Sequence, residues 1–167
     1  MRPFHRATAT LAATAAALLS APAFASADTV VPQPDTPCSQ NFADAMTWLP
    51  NEKTPLVCSN QQNLGYQWTT VTSPYPISGR WLSYGPELTL HGQGMRNASI
   101  RSGDWTGFPQ DSNTPCRVWQ VAVVAAGVVG APQTAEGAPG QPLSFQVLPN
   151  LFTIKLSGYC LWVKAPA

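Results

Sequence analysis

The chain has 167 residues, of which 44% are hydrophobic and 10% charged, and its formal net charge is +1. This length and composition exclude a disordered acidic tail, a collagen-like repeat, a coiled coil and a multi-domain enzyme, and they predict one small folded domain. A nearly neutral chain without a basic run releases few counterions from a phosphate backbone, so neither nucleic acid nor an anionic membrane surface is an expected partner.

Residues 1–27 have the pattern of a signal peptide. A basic start precedes an apolar run over residues 7–19, and Ala25-Ser26-Ala27 supplies the small-x-small pattern that signal peptidase cleaves. We expect cleavage after Ala27 and a product that is secreted, extracellular or associated with the cell wall. No later apolar stretch reaches the roughly 20 residues needed to cross a bilayer, so no membrane span is expected.

The first part of the mature chain predicts an extended leader followed by a helix. Residues 28–37 contain three prolines and indicate a solvated leader. A single domain should then cover residues 38–167. After Ser39, a good N-cap, apolar residues recur with helical spacing and Pro50 forbids continuation, which predicts one short amphipathic N-terminal helix. The apolar residues of this pattern are Phe42, Ala45, Met46 and Leu49.

All four cysteines lie beyond the predicted signal peptide, and their even number in an exported chain predicts two disulfides. Because shorter loops close more easily, the spacing favours Cys38–Cys58 and Cys116–Cys160 among the three possible pairings. A zinc site is the alternative, but the chain has no Cys-x-x-Cys, and His91 is the one histidine left after the predicted cleavage. No metal and no other cofactor is expected.

Beyond Cys58 the sequence predicts β-structure, because short β-branched and aromatic runs alternate with prolines and glycines. The predicted strands are residues 66–71, 80–84, 87–91, 96–101, 117–125, 143–148, 151–156 and 159–164. About eight short strands without helical crossovers predict a mainly β fold, an antiparallel sandwich or barrel. Turn dipeptides between the last three strands predict a meander, and residues 131–142 predict a surface loop.

The chain resembles a group of small secreted proteins from about Cys38 onward. The resemblance depends on Ser73-Pro74-Tyr75-Pro76, Arg80-Trp81-Leu82-Ser83, Gly85-Pro86, Leu88-Thr89-Leu90-His91-Gly92-Gln93-Gly94, Arg96-Asn97 and Ser102-Gly103-Asp104-Trp105-Thr106. In these residues the chain is similar to small secreted actinobacterial proteins of uncharacterised function. The resemblance implies a bacterial product that faces the cell wall or the extracellular space, and it brings no catalytic motif and no ligand.

Two Gly-x-Trp motifs occur, Gly79-Arg80-Trp81 and Gly103-Asp104-Trp105. They resemble the barrel-closing motif of lipocalin-like and avidin-like proteins, which implies an internal cavity for an apolar ligand. The alternative, favoured for each motif, is that the tryptophan anchors the core at the end of a β-sheet.

The segment His91-Gly92-Gln93-Gly94 resembles a glycine-rich oxyanion loop, and Ser83 or Ser102 with Asp104 offers the other members of a Ser-His-Asp arrangement. The chain has no Gly-x-Ser-x-Gly elbow, so we interpret His91 as the start of a turn and assign no catalytic residue. A glycosidase needs two carboxylates placed by the fold, and nothing in the sequence selects a pair.

Six tryptophans are more than a core of this size requires, so some should expose a ring face suited to sugar or peptide recognition. Trp119 and Trp162 lie in the most apolar predicted strands and should be buried. The predicted ligand-binding residues are Trp81, Arg101, Asp104 and Trp105. The sequence thus predicts a secreted non-enzymatic binding or interaction protein whose partner is a protein, a glycan or a small apolar ligand at the cell envelope. The alternatives are a β-barrel carrier of a small apolar ligand and an extracellular hydrolase.

Overall fold

A computed structural model describes residues 31–49, 54–85 and 87–166. The predicted signal peptide and residues 28–30 of the predicted leader lie outside the described residues. Within them the chain forms one short 3₁₀ turn, Gln40–Phe42, and twelve strands. None of the helical structure seen there is long and apolar enough to cross a membrane.

The strands form two sheets. They are β1 (Met46–Trp48), β2 (Pro55–Gln61), β3 (Gly65–Thr70), β4 (Arg80–Ser83), β5 (Leu88–His91), β6 (Gly103–Pro109), β7 (Arg117–Ala125), β8 (Val128–Val129), β9 (Gln133–Glu136), β10 (Leu143–Val147), β11 (Leu151–Ser157) and β12 (Cys160–Lys164). The first sheet has the order β10-β6-β12-β4-β1-β2-β3, and the second has the order β5-β11-β7-β8 with β9 also paired to β7. The mainly β prediction is confirmed, and neither sheet closes into a barrel.

The main core lies between the two sheets. The first sheet contributes Trp81, Trp105 and Trp162, each at most 1% exposed, and β11 of the second contributes Ile154 and Leu156. Along β11 these buried side chains alternate with more exposed ones, as expected for a strand with one face on the core. Gly107 permits the close packing, because a Cβ there would lie 2.5 Å from the Trp162 ring.

Both predicted disulfides are present. Cys38–Cys58 attaches the N-terminal segment to β2, and Cys116–Cys160 joins the residue before β7 in the second sheet to β12 in the first. The N-terminal segment is also held by backbone bonds to β3, since Asp35 N–H donates to the Trp68 carbonyl at 2.8 Å. The second bridge therefore fixes the two sheets to each other.

The predicted N-terminal helix is wrong. Ser39 does cap a turn, its Oγ accepting from the Asn41 N–H at 3.2 Å, but this is the 3₁₀ turn. Asp44 then takes a left-handed φ of 62°, which a continuing helix does not permit. The chain continues as β1, in which the buried Thr47 hydroxyl donates to the Leu82 carbonyl at 2.9 Å. Pairing with β2 and β4 therefore outweighs the helical spacing of the apolar residues.

Three further expectations about strands are also wrong. Residues 96–101 form bends rather than a strand, with the Ser99 N–H donating to the His91 carbonyl at 2.8 Å, and Ile100 forms one isolated bridge to Ser78. The predicted loop at residues 131–142 contains β9. The last three strands are not a meander, because β10 and β12 belong to the first sheet and β11 to the second. Their turns carry the chain from one sheet to the other.

Candidate functional site

The predicted indoles Trp81 and Trp105 lie in the core. Trp81 is fully buried and stacks on Trp48 with ring centroids 6.4 Å apart. Trp105 is 1% exposed, and its indole N–H donates to the Arg101 carbonyl at 2.9 Å. Neither ring has a face open to solvent. Both indoles therefore lie in the core, as the core-anchor interpretation of the Gly-x-Trp motifs expects.

The predicted charged residues lie nearby on the surface. Arg101 is in the loop that precedes β6, and Asp104 is the second residue of β6; both are exposed. The ion pairs found in the described part of the chain involve other residues, Arg117 with Glu136 and Lys155 with Glu87. The structure therefore brings Arg101 and Asp104 to one region without an aromatic ring face beside them.

The two glycine amides after His91 are not free. The Gly92 N–H donates to the Phe152 carbonyl at 3.3 Å, and the Gly94 N–H donates to the Leu151 carbonyl at 2.8 Å. An oxyanion hole needs amides aimed at the ligand, and these two are aimed at β11.

The two serines considered with His91 make other hydrogen bonds. The Ser83 hydroxyl donates to the Gly158 carbonyl and accepts from the Trp162 indole, both at 2.7 Å. The Ser102 hydroxyl donates to the Gln93 side-chain oxygen at 2.8 Å. These bonds assign Ser83 to the core and Ser102 to a surface turn.

The outer face of the second sheet carries a different tryptophan. Trp119 in β7 lies opposite Lys155 of β11 and opposite Thr134 of β9. Its neighbours Val118 and Gln120 are buried, so the alternation of the strand turns Trp119 outward, where it is half-buried. The sequence predicted burial because β7 is apolar on both faces. The feature of the sequence that indicates an outward-facing Trp119 is the charged Arg117 two residues earlier, because residues two apart in a strand lie on the same face.

Two ion pairs lie beside this indole. The Lys155 ammonium lies 5.2 Å from the centroid of the Trp119 ring and 2.9 Å from a Glu87 carboxylate oxygen. The Arg117 guanidinium lies 3.0 Å from a Glu136 carboxylate oxygen. All four charged side chains are about half exposed, so each pair adds less than about 1 kcal/mol to stability. The charges of the four sum to zero.

These residues form a groove of about 440 Å³, within the range of about 300 to 1,000 Å³ that small-molecule sites occupy. The lining residues are Glu87, Arg117, Val118, Trp119, Thr134, Ala135, Glu136, Lys155 and Ser157. A smaller groove of about 270 Å³ lies between β9 and β10, where Gln120 Nε2 donates to the Gln146 carbonyl at 2.8 Å. We take the larger one, which we call the Trp119 groove, as the candidate site.

Metal-ligating groups are dispersed in the described residues, where no three His, Cys, Asp or Glu side chains lie close enough together to hold an ion. Comparison of the chain with protein-family models, curated proteins and solved structures finds no match. The resemblance to small secreted actinobacterial proteins therefore stays a prediction.

Proposed function

We propose that the protein is a secreted, non-enzymatic binding domain and that it holds an uncharged saccharide in the Trp119 groove. The observation that carries this proposal is one half-buried indole placed between two ion pairs in a groove of ligand size. The two disulfides are consistent with an extracellular protein, where oxidising conditions preserve them.

The chemistry of the groove suits a sugar. An indole offers a flat apolar surface to the C–H face of a sugar ring, and the polar side chains around it fix the orientation of the hydroxyls. The Lys155 ammonium now covers the Trp119 ring. In the proposed complex, a sugar ring replaces the Lys155 ammonium on the Trp119 ring, while Lys155 keeps its contact with Glu87.

The charge of the groove favours a neutral ligand. Arg117 and Lys155 supply hydrogen-bond donors, and Glu87 and Glu136 supply acceptors, as hydroxyl groups require. A phosphate or a carboxylate would meet as many negative as positive charges there. An uncharged oligosaccharide uses both signs without leaving a charge unpaired.

The alternative carrier function has less support. A carrier of the barrel type encloses its ligand, whereas here two open sheets pack on Trp81, Trp105 and Trp162. The extracellular hydrolase remains a testable alternative, because a hydrolase acting in the same groove converts the saccharide into products.

The test is isothermal titration of the purified protein with uncharged oligosaccharides, namely oligomers of N-acetylglucosamine, cellulose and starch. We expect one of these series to bind. Trp119→Ala should weaken that binding at least tenfold, as truncation of a central aromatic contact does, and Trp119→Tyr should keep most of it. Tyr75→Ala is the matched control, since Tyr75 is an aromatic residue 61% exposed outside the groove.

The proposal is contradicted if none of the series binds, or if Trp119→Ala and Tyr75→Ala bind as tightly as the unchanged protein. Recovery of shortened oligosaccharides after incubation would instead assign a hydrolase.

A further inference from the structure

The hairpin of β7 and β8 extends beyond the body of the second sheet. β7 pairs with β11 as far as Ala122, and the Val123 N–H donates to the Asn150 carbonyl at 2.8 Å. Beyond this point β7 pairs only with β8, and Gly127 turns the chain with a left-handed φ of 71°. The two residues of β7 beyond that point, Val124 and Ala125, at about 3.4 Å each, extend the hairpin by about 7 Å. We call residues 123–129 the valine ribbon.

The valine ribbon is apolar and exposed. Val124, Val128 and Val129 are 64%, 52% and 48% exposed, and no charged residue occurs between Arg117 and Glu136 in the sequence. A contiguous apolar patch on a protein surface marks a site of contact with another apolar surface.

Both faces of the valine ribbon are apolar. Val128 and Val129 are neighbours in β8, so their side chains point to opposite faces, and both are about half exposed. A flat protein surface covers only one of these faces. The ribbon also offers only on the order of 300 Å² of apolar surface, whereas a stable protein interface takes about 800 Å² from each partner. A fluid medium that surrounds the ribbon covers both of its apolar faces.

We propose that the valine ribbon inserts into the interfacial region of a lipid bilayer. The protruding length of about 7 Å lies within the depth of about 5–10 Å to which apolar surfaces of interfacial segments sink. The backbone groups at the ribbon's outer edges lack strand partners, so they need the water and headgroups of the interface, and insertion stops there.

The absence of charge from the ribbon determines how this binding behaves. Electrostatic attraction to anionic lipid requires basic residues near the surface, and the ribbon has none. Binding should therefore be as strong to zwitterionic as to anionic vesicles and should persist at high salt, because apolar contacts are not screened. The proposal does not depend on saccharide binding, since Trp119 lies six residues before Ala125, about 20 Å along β7.

The test is co-sedimentation of the purified protein with vesicles of phosphatidylcholine. We expect binding that is unchanged by added phosphatidylglycerol or by salt. The triple variant V124T/V128T/V129T keeps the β-branched shape and removes apolar surface, and it should lower the partition coefficient roughly tenfold or more. The matched control L64T/I77T changes two exposed apolar residues outside the ribbon and should leave binding unchanged.

Four outcomes would overturn the proposal. They are no sedimentation with phosphatidylcholine, binding that requires anionic lipid and is lost in salt, a triple variant that binds like the unchanged protein, and a ribbon-dependent dimer in sedimentation velocity without vesicle binding. The lipid and salt dependence is measured on the unchanged protein. It therefore tests the proposed insertion even if the triple variant unfolds.

Discussion

Ser83 connects two strands of the core through one buried hydroxyl. Its Oγ donates to the Gly158 carbonyl and accepts from the Trp162 indole N–H, both at 2.7 Å, and the residue is 1% exposed. Polar groups in such a position need partners, because an unsatisfied buried donor costs about 1–3 kcal/mol. Ser83 therefore has a structural role that the Ser-His-Asp arrangement considered from the sequence did not indicate.

Ser83→Ala should lower the free energy of unfolding by about 1–3 kcal/mol, because it leaves the Trp162 N–H and the Gly158 carbonyl without their partner. Urea unfolding measures the change. Ser112→Ala, at an exposed turn, is the control and should change stability by less than about 0.5 kcal/mol. Equal stabilities of the two variants would show that the Ser83 hydroxyl is not needed in the core.

Asp111 holds the turn before β7 through its carboxylate. The Thr114 hydroxyl donates to it at 2.6 Å, and the Asn113 and Thr114 N–H groups donate at 2.8 and 2.7 Å. These bonds, the Thr114 hydroxyl first, favour the charged form and lower the pKa of Asp111 below its ordinary value. A lowered folded-state pKa stabilises the fold above the unfolded pKa of about 4, and this stability is lost as pH falls through the folded-state pKa.

Asp111→Ala should therefore lower the melting temperature near neutral pH, and the difference from the unchanged protein should shrink as the pH falls through the lowered folded-state pKa of Asp111. Thermal melts over a series of pH values from neutral into acid measure this. Asp104→Ala, which removes another exposed carboxylate, is the control. A difference that persists unchanged in acid would contradict the role assigned to the charged form.

At the scale of strands, the sequence predicted elements well where apolar side chains mark the strand and poorly where the inward residues are small or polar. β4, β5, β7 and β11 match their predicted positions to within a residue or two. β6 was missed because its inward residues include Gly107, which has no side chain to mark the buried face. β9 was missed because its residues, Gln133–Glu136, are mostly exposed at an edge.

The helical spacing at residues 42–49 illustrates a different limit. Ala45 and Thr47 are two residues apart, which is the spacing of side chains on one face of a strand. Both residues are buried, at 0% exposure each. A short segment satisfies both periods at once, and only the pairing with β2 and β4 decides between them. The disulfides were predictable because the observed pairing closes short loops and keeps each bridge within one half of the chain.

The two disulfides should differ in their contribution to stability. Replacing Cys116 and Cys160 together by alanine opens a loop of 44 residues that joins the sheets, and the chain-entropy model expects a loss of about 4 kcal/mol. Replacing Cys38 and Cys58 opens a loop of 20 residues within the first sheet, with an expected loss of about 3 kcal/mol. Denaturant unfolding of both double variants compares them. A larger loss for the Cys38–Cys58 variant would contradict the dependence of the two contributions on loop length.

At the scale of the whole molecule, the packing of the two sheets decides which tryptophans face the ligand. The first sheet places Trp81, Trp105 and Trp162 in the core, while the second turns Trp119 outward. Composition predicts that some indoles are in excess of the core's needs. It does not predict which ones, because that depends on which face of each strand the opposite sheet covers, and this is set by contacts between distant parts of the chain.

The same contacts decide between an open sandwich and a closed barrel. β9 and β10 lie at adjoining edges, and the Gln120 side chain bonds to the Gln146 carbonyl where a strand ladder would close a barrel. No local pattern in the sequence specifies this arrangement. It leaves the outer face of the second sheet, rather than an enclosed interior, as the place for a ligand.

The most direct test of saccharide binding is an NMR titration that follows the six indole N–H signals while the best-binding oligosaccharide is added. We expect the Trp119 signal to move in a saturable way and the signals of Trp81, Trp105 and Trp162 to stay in place, because these three rings are buried away from the groove. Saturable binding with an unmoved Trp119 signal, or with movement at Trp81 or Trp105 instead, would contradict this expectation.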